Sequence, residues 1–419
     1  MKNRKDYFDI MRPISLWMGG NLSMSWYLKK EHLSQAEELV AETRARGGLA
    51  PVDLDRFYED EKTAREDPFG LAIPQCPLGI WMSGECVYAE LGLQEDYWRY
   101  EQEETWRLSL HKAYNDKAER IVGKRLLRED PSDPSRQYPP VLGLHDVFEA
   151  KNVWSSNSWW LEQSAQDERE LRSLLDRVER RLENLRAFLL PKNWEQEKDR
   201  LMGLEEKPRL YRGQRGPITF ACSIYGPENL IFLIQDRPSL AARFRDLILS
   251  SMLEIGRIMD EEAGYTQETA PHGFGFADDN CMLLSPSMYE FFGYPILKGV
   301  FDRYAPLSED RRHQHSDSEM AHLLPLLGKA GLNHVNFGPK VRADEIREHL
   351  PRAVILGQLA PFTFSRNEEV NMVAEFLRDF EMTKEKKGLV FATAGSINNG
   401  SRLTGLRLIM SAIQRYGRY

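Results

Sequence analysis

Hydrophobic residues recur in two rhythms along this chain, and the regular one begins near residue 213. Short apolar runs there alternate with stretches whose apolar residues return every three or four positions. The first pattern predicts buried strands and the second predicts helices with one buried stripe. Pro217-Ile-Thr-Phe-Ala-Cys-Ser-Ile-Tyr225 is predicted as a strand. A helix starts at Asp236-Arg-Pro-Ser, with Pro238 in the first turn, and Gly264 stops it. His272-Gly-Phe-Gly-Phe-Ala-Asp-Asp279 is a strand ending in two carboxylates, and Ser285-Pro286 caps a helix reaching about Tyr304, with a kink expected at Pro295. A strand then carries Arg311-Arg-His-Gln-His-Ser-Asp317, and a helix follows to about Ala330. Strands at 333–338, 353–358 and 388–395 alternate with helices at 343–350, 368–380 and 403–416.

The first half is less regular. Arg12-Pro-Ile-Ser-Leu-Trp-Met-Gly-Gly20 reads as a short buried strand, and residues 31–46 as a helix closing at Gly47-Gly48. Residues 51–212 are rich in Trp, Tyr, Asp, Glu and Pro, and residues 101–121 fit either helix or strand. One helix stands out there. Ser164 and Asp167 resemble a capping box, Leu171 to Leu185 recur at helical spacing, and Pro191 ends the run.

Strand and helix alternate six times from residue 217 to the end, which requires parallel strands joined by helical crossovers. With the Trp17 strand and one more from the middle, the count reaches eight. The expected fold is therefore α/β, a (β/α)8 TIM barrel. It would be a single domain over residues 1–419, with an insertion or lid within 51–212 and regular βα repeats over 213–419. A doubly wound sheet is the alternative, but no Gly-x-Gly-x-x-Gly turn follows any strand.

Composition changes this picture only at its edges. The chain carries 42% hydrophobic and 29% charged residues, the proportions of a globular protein. A net charge of -8 with no basic stretch argues against nucleic-acid binding. Four scattered cysteines without a Cys-x-x-Cys pair point to reduced thiols in the cytoplasm. No apolar run nears the ~20 residues that span a bilayer.

Chemistry is expected at the C-terminal ends of barrel strands. The polar residues predicted at those ends are Asn21, Tyr225, Asp278, Asp279, His313, His315, Asn336, Gln358 and Ser396. His313 and His315 are two apart, so a strand presents both imidazoles on one face. Neutral imidazole ligates transition metals, and Asp278, Asp317 or a group near Ser396 would complete a set. The histidines serve equally as acid and base, with Asp278 orienting a substrate. Asp278 is the better pocket candidate of its pair, since Asp279 has a competing role as a cap. Trp154, Trp159 and Trp160, with Asn152 and Asn157, either line a pocket mouth or form an aromatic mini-core under a loop. Cys222 and Cys281 read as buried fillers.

Several ordered segments resemble the uroporphyrinogen decarboxylase superfamily. Gly216-Pro-Ile-Thr is similar to its Gly-Pro-x-Thr segment, and Arg237-Pro-Ser-Leu-Ala-Ala-Arg-Phe to its Pro-led helix. Asp278-Asp-Asn with Leu284-Ser-Pro-Ser-Met-Tyr-Glu-Phe-Phe resembles its Asp-Asp…Ser-Pro-x-x-Tyr-x-x-Phe stretch, the most specific match. His313-Gln-His-Ser lies where the family has His-x-Cys-Gly, and Leu356-Gly-Gln-Leu-Ala-Pro361 resembles Gly-Asn-x-Asp-Pro. The resemblance implies a TIM barrel and two activities. One branch decarboxylates uroporphyrinogen without a cofactor, using two arginines of an N-terminal motif. Pro13-Ile-Ser-Leu-Trp-Met-Gly-Gly-Asn-Leu here has neither arginine. The other branch moves methyl groups between a corrinoid protein and a thiol, amine or aryl-ether substrate, assisted by zinc. It implies His313, His315 and Ser396 as the metal positions. The expected function is thus corrinoid-linked methyl transfer. Asp278, His313 and His315 would be catalytic, and Trp17, Asn21, Tyr225, Asp279, Asn336 and Gln358 would bind substrate. Tetrapyrrole decarboxylation and a non-catalytic corrinoid-binding barrel are the alternatives. A corrinoid protein and a second copy of the chain are the implied partners, with a small-molecule substrate.

Overall fold

The computed structural model describes residues 27–204 and 206–419. A hairpin of β1 (Lys151–Ser155) and β2 (Ser158–Glu162) precedes β3 (Gly213–Arg215), β4 (Phe274–Ala277), β5 (Arg312–His315), β6 (His334–Asn336), β7 (Val354–Leu359) and β8 (Leu389–Thr393). Strands β3 to β8 form one parallel sheet whose spatial order is the chain order. A doubly wound sheet reverses its strand order at a switch point. No reversal occurs over these six strands, which disfavours that alternative.

The sheet continues one position beyond β8. Leu78 bridges Phe391 in parallel, with Gly79 N–H donating to Phe391 O at 2.7 Å and Phe391 N–H to Pro77 O at 2.8 Å. This segment, Pro77-Leu-Gly-Ile-Trp-Met-Ser-Gly84, has the same Pro-x-x-x-Trp-Met-x-Gly spacing as Pro13 to Gly20. That spacing was the available signal for a strand position at 77–79. The expected strand around Trp17, with Asn21 beyond it, lies outside the described residues.

Side-chain alternation on β4 shows how the layers form. Phe274 and Phe276 are buried and point outward, where Phe274 meets Tyr211 and Tyr304 and Phe276 meets Phe301. Tyr304 closes the helix Pro286–Tyr304, and its hydroxyl donates to Leu253 O of the helix Pro238–Glu262. A Cβ at Gly256 would overlap that hydroxyl, so glycine is what allows the two helices to approach. Further round, the helix Glu369–Thr383 packs on the helices Lys30–Ala45 and Leu403–Tyr416.

One element differs in type from its expectation. Pro217–Tyr225 is a helix, and the strand before it is only Gly213–Arg215. Eight of its nine residues are buried, so apolar pattern alone does not separate helix from strand. The ends decide. Gly216 is the N-cap, Pro217 takes the first turn, and Gly226 at φ 87° stops the helix.

Residues 51–212 are mainly helical, with helices such as Leu54–Glu66, Glu104–Val122, Glu168–Leu182 and Trp194–Met202 around the β1–β2 hairpin. Asp167 caps Glu168–Leu182 by accepting from Glu170 N–H at 2.8 Å. Leu185 falls in a separate short helix, Leu185–Leu189. Trp154 and Trp159 pack edge to face across the hairpin and against Trp98, while Trp159 and Trp160 stay exposed. Among the described residues, no single helix is long and apolar enough to cross a membrane.

Candidate active site

Strand register sorts the inner face of the sheet into rows. Arg215, Ala277, His315 and Asn336 stand side by side near the C-terminal strand ends. One layer deeper stand Gly213, Gly275, His313, His334 and Val354. The inner-facing Arg215, Gly275, Ala277, His313, His315 and His334 are all partly exposed, whereas their outward neighbours Phe274, Phe276, Gln314 and Val335 are buried. Among the described residues, the inner face therefore borders open space, made by the small residues Gly213, Gly275 and Ala277. A Cβ on Gly213 would meet nothing within 4 Å.

His315 is the best-positioned side chain in that space. The Asn336 amide nitrogen donates to the carbonyls of Leu356 and of Thr393, the latter at 2.9 Å. The amide oxygen thus faces His315 Nδ1 at 2.7 Å and requires a proton there. In the neutral ring, the lone pair is left on Nε2. That atom lies 3.3 Å from Asp317 Oδ1. Once protonated, Nε2 donates to Asp317, and that hydrogen bond raises His315 above the ordinary histidine value. Burial would raise Asp317, but His315 and then Ser396 together outweigh it and hold the carboxyl below its usual range.

Asp317 is itself held. Ser396 N–H donates to Oδ1 at 2.9 Å, and the Ser396 hydroxyl contacts Oδ2 at 3.3 Å. A Cβ at Gly395 would overlap Oδ1, so this glycine makes the approach possible. Ser396 therefore positions a carboxylate, through a backbone donor as well as its side chain.

The two neighbouring aspartates, just past the end of β4, face opposite ways. Asp278 is fully buried on the helix side. Its Oδ1 accepts from the N–H groups of Ile218 at 3.1 Å and Thr219 at 2.7 Å, capping the helix Pro217–Tyr225. Burial pushes its carboxyl up to about 7, despite those donors. Asp279 turns inward and accepts from Asp317 N–H at 2.6 Å. Its carboxyl is also raised, mainly by burial. The expected roles are exchanged: Asp278 is the cap, and Asp279 reaches the pocket.

The remaining expected residues divide. His313 is inward but one layer below His315, with Nδ1 buried and unpartnered among the described residues. Burial and then Arg311 lower its value to about 4, so it is neutral near pH 7. His334 beside it is lowered to about 4 in the same way. Tyr225 ends a helix rather than a strand, and Glu168 and Asp167 are the charges acting on it. Gln358 is buried and ties β7 to the loop after β6, donating to Gly338 O at 3.2 Å and Val341 O at 2.5 Å. It is not in the pocket. Arg215 and His334 belong to the site and are not among the expected residues. Both sit on register with His-x-His, but Arg215 precedes an apolar run that reads as the strand itself.

Among the described residues, one set of three potential metal ligands converges. Donor atoms of Asp279, His315 and Asp317 all lie within 4.8 Å of one another. The set excludes His313, and Ser396 acts through Asp317. One imidazole and two carboxylates are borderline-to-hard donors that suit zinc, iron or manganese. The four cysteines are buried, with Cys222 pushed up to about 12 by burial, so none supplies a thiolate at the mouth.

The family model described as uroporphyrinogen decarboxylase (URO-D) matches residues 204–416. No curated protein matches the chain. Among solved structures, a methyltransferase from Methanosarcina mazei superposes with a TM-score of 0.44 at 14% identity, over 78% of this chain and 96% of that one.

Proposed function

Because this chain belongs to the uroporphyrinogen decarboxylase family, we propose that it is a metal-assisted transferase of that family, with its sheet closed as a (β/α)8 barrel. It moves a methyl group between a corrinoid carried by a partner protein and a small substrate. The observation that carries this reading is the convergence of Asp279, His315 and Asp317 at the strand ends. Asp279, His315 and Asp317 would hold a divalent ion, zinc by first preference, and the chemistry it would supply is to lower the pKa of a bound alcohol or thiol toward neutrality.

The protein's own residues prepare that step. Asn336 fixes the His315 tautomer so that Nε2 points at the site. Ser396 and the Asp317 N–H orient the two carboxylates. Such outer partners set ligand direction and basicity. His313 and His334 beneath them stay neutral and add no charge. Tetrapyrrole decarboxylation is less well supported. Its substrate carries eight carboxylates, whereas the inner rows described above hold one cation, Arg215.

Metal analysis tests the proposal. Protein purified from zinc-supplemented cells is expected to hold about one equivalent of zinc. His315→Ala and Asp317→Asn are expected to lose it while keeping the wild-type circular dichroism. Wild-type protein without metal that decarboxylates uroporphyrinogen would sink the reading in favour of the second family activity.

A further inference from the structure

Among the described residues, Arg215 is the one permanent cation in the inner rows without a hydrogen-bonded or ion-paired partner. It stands on β3 beside Ala277 and two places from His315 in the same row. Burial lowers its guanidinium below the usual arginine value, and Asp279 is the one charge that offsets this. Yet among the described residues it makes no side-chain hydrogen bond and no ion pair within 4 Å. A half-buried guanidinium without a partner is unfavourable. It also presents a planar fork matched to a planar oxyanion. The space next to it is open, since the inner neighbours are Gly213, Gly275 and Ala277.

We infer that Arg215 binds the carboxylate of a compact substrate bearing a single negative charge, with the substrate's reacting end directed at Asp279, His315 and Asp317. The choice of one charge rests on the metal reading above. Two carboxylates cancel a divalent ion, and Arg215 then leaves one positive charge for the ligand to neutralise. A phosphate dianion overshoots that balance and meets Asp279. A substrate with many carboxylates finds no further cation in the rows. Val354, one layer down beside His334, is the apolar residue of the inner rows other than Ala277.

The test is binding by the full chain, followed by ligand-observed NMR and calorimetry. The probes are propionate, benzoate and 4-methoxybenzoate, each beside its primary amide, together with inorganic phosphate. At least one acid is expected to bind tenfold or more tightly than its amide, and phosphate is expected not to displace it. Arg215→Gln should reduce the acid to the amide's affinity with zinc content unchanged, and Arg215→Lys should restore part of the preference. Acids and amides binding alike, no acid binding at all, or a preference surviving in Arg215→Gln would each overturn the inference. The same titration after chelator treatment separates it from the metal reading. Zinc retained by wild type without any acid preference sinks this inference alone. Wild-type protein that takes up no zinc yet keeps the acid preference sustains the role of Arg215 and sinks the metal reading.

Discussion

Asn336 controls His315 through a single hydrogen bond, and that bond has direction only because the amide nitrogen is already committed to two carbonyls. Replacing it with alanine frees the ring to turn and to change tautomer. Asn336→Ala is expected to weaken zinc binding about 10- to 100-fold without a large loss of stability, as read by competition with a chelating dye. The glycines permit a sharper comparison. A Cβ at Gly216 would overlap the Asp278 side chain, whereas one at Gly213 meets only open space. Gly216→Ala is therefore expected to lower unfolding free energy by about 2–4 kcal/mol, through overpacking and loss of the cap, and Gly213→Ala by less than about 0.5 kcal/mol. Urea denaturation of the two variants checks this, and equal effects would contradict the placement of Asp278. The exchange between Asp278 and Asp279 belongs to this scale too. The pair follows the end of β4, where the chain turns into a short 3-10 helix, and one step along it changes the side a carboxylate faces. Composition around two consecutive aspartates does not say which of them faces in.

Helix Glu369–Thr383 shows what a single element contributes to the pocket rim. Its Glu375 is fully buried, accepting from Ala360 N–H at 2.8 Å and from the Thr363 hydroxyl at 2.7 Å, and so it holds the turn after β7. That turn helps to line a cavity of about 300 Å³ beside Asp317. Burial raises the Glu375 carboxyl from 4.5 to about 7, outweighing Arg378 and the two donors. A raised carboxyl favours the folded state while protonated. Its contribution is full below the unfolded value and is lost as pH rises through about 7. Wild-type protein is expected to melt several degrees lower at pH 8 than at pH 5, and Glu375→Gln to flatten that slope. Identical slopes for the two proteins would remove Glu375 as the cause. Most elements after residue 226 follow their patterns to within a few residues, and the closing helix Leu403–Tyr416 matches at both ends. The miss at Pro217–Tyr225 has a plain cause. An element buried all round has no polar face to display its period, and its ends were the better signal.

For the molecule as a whole, the sheet β3–β8 and its outer helices form the buried body, while the β1–β2 hairpin has mostly exposed residues. Backbone amides of β4 to β8 are expected to exchange slowest and those of the hairpin within the fastest class, measured by hydrogen exchange. Uniform protection across both would argue against this division. Local periodicity by itself determined the succession of strands and helices after residue 226, and therefore parallel pairing there, because parallel strands need crossovers. It also placed two imidazoles on one face of β5. Tertiary structure decided what those imidazoles meet. The lateral neighbours of His315 are Ala277 and Asn336, contributed by strands distant in sequence, and its carboxylate partner is held by a loop 79 positions further on. A spacing rule reaches only along one strand. The space beside Arg215, the inward turn of Asp279 and the union of three ligand atoms arise across strands, where register and packing choose the neighbours.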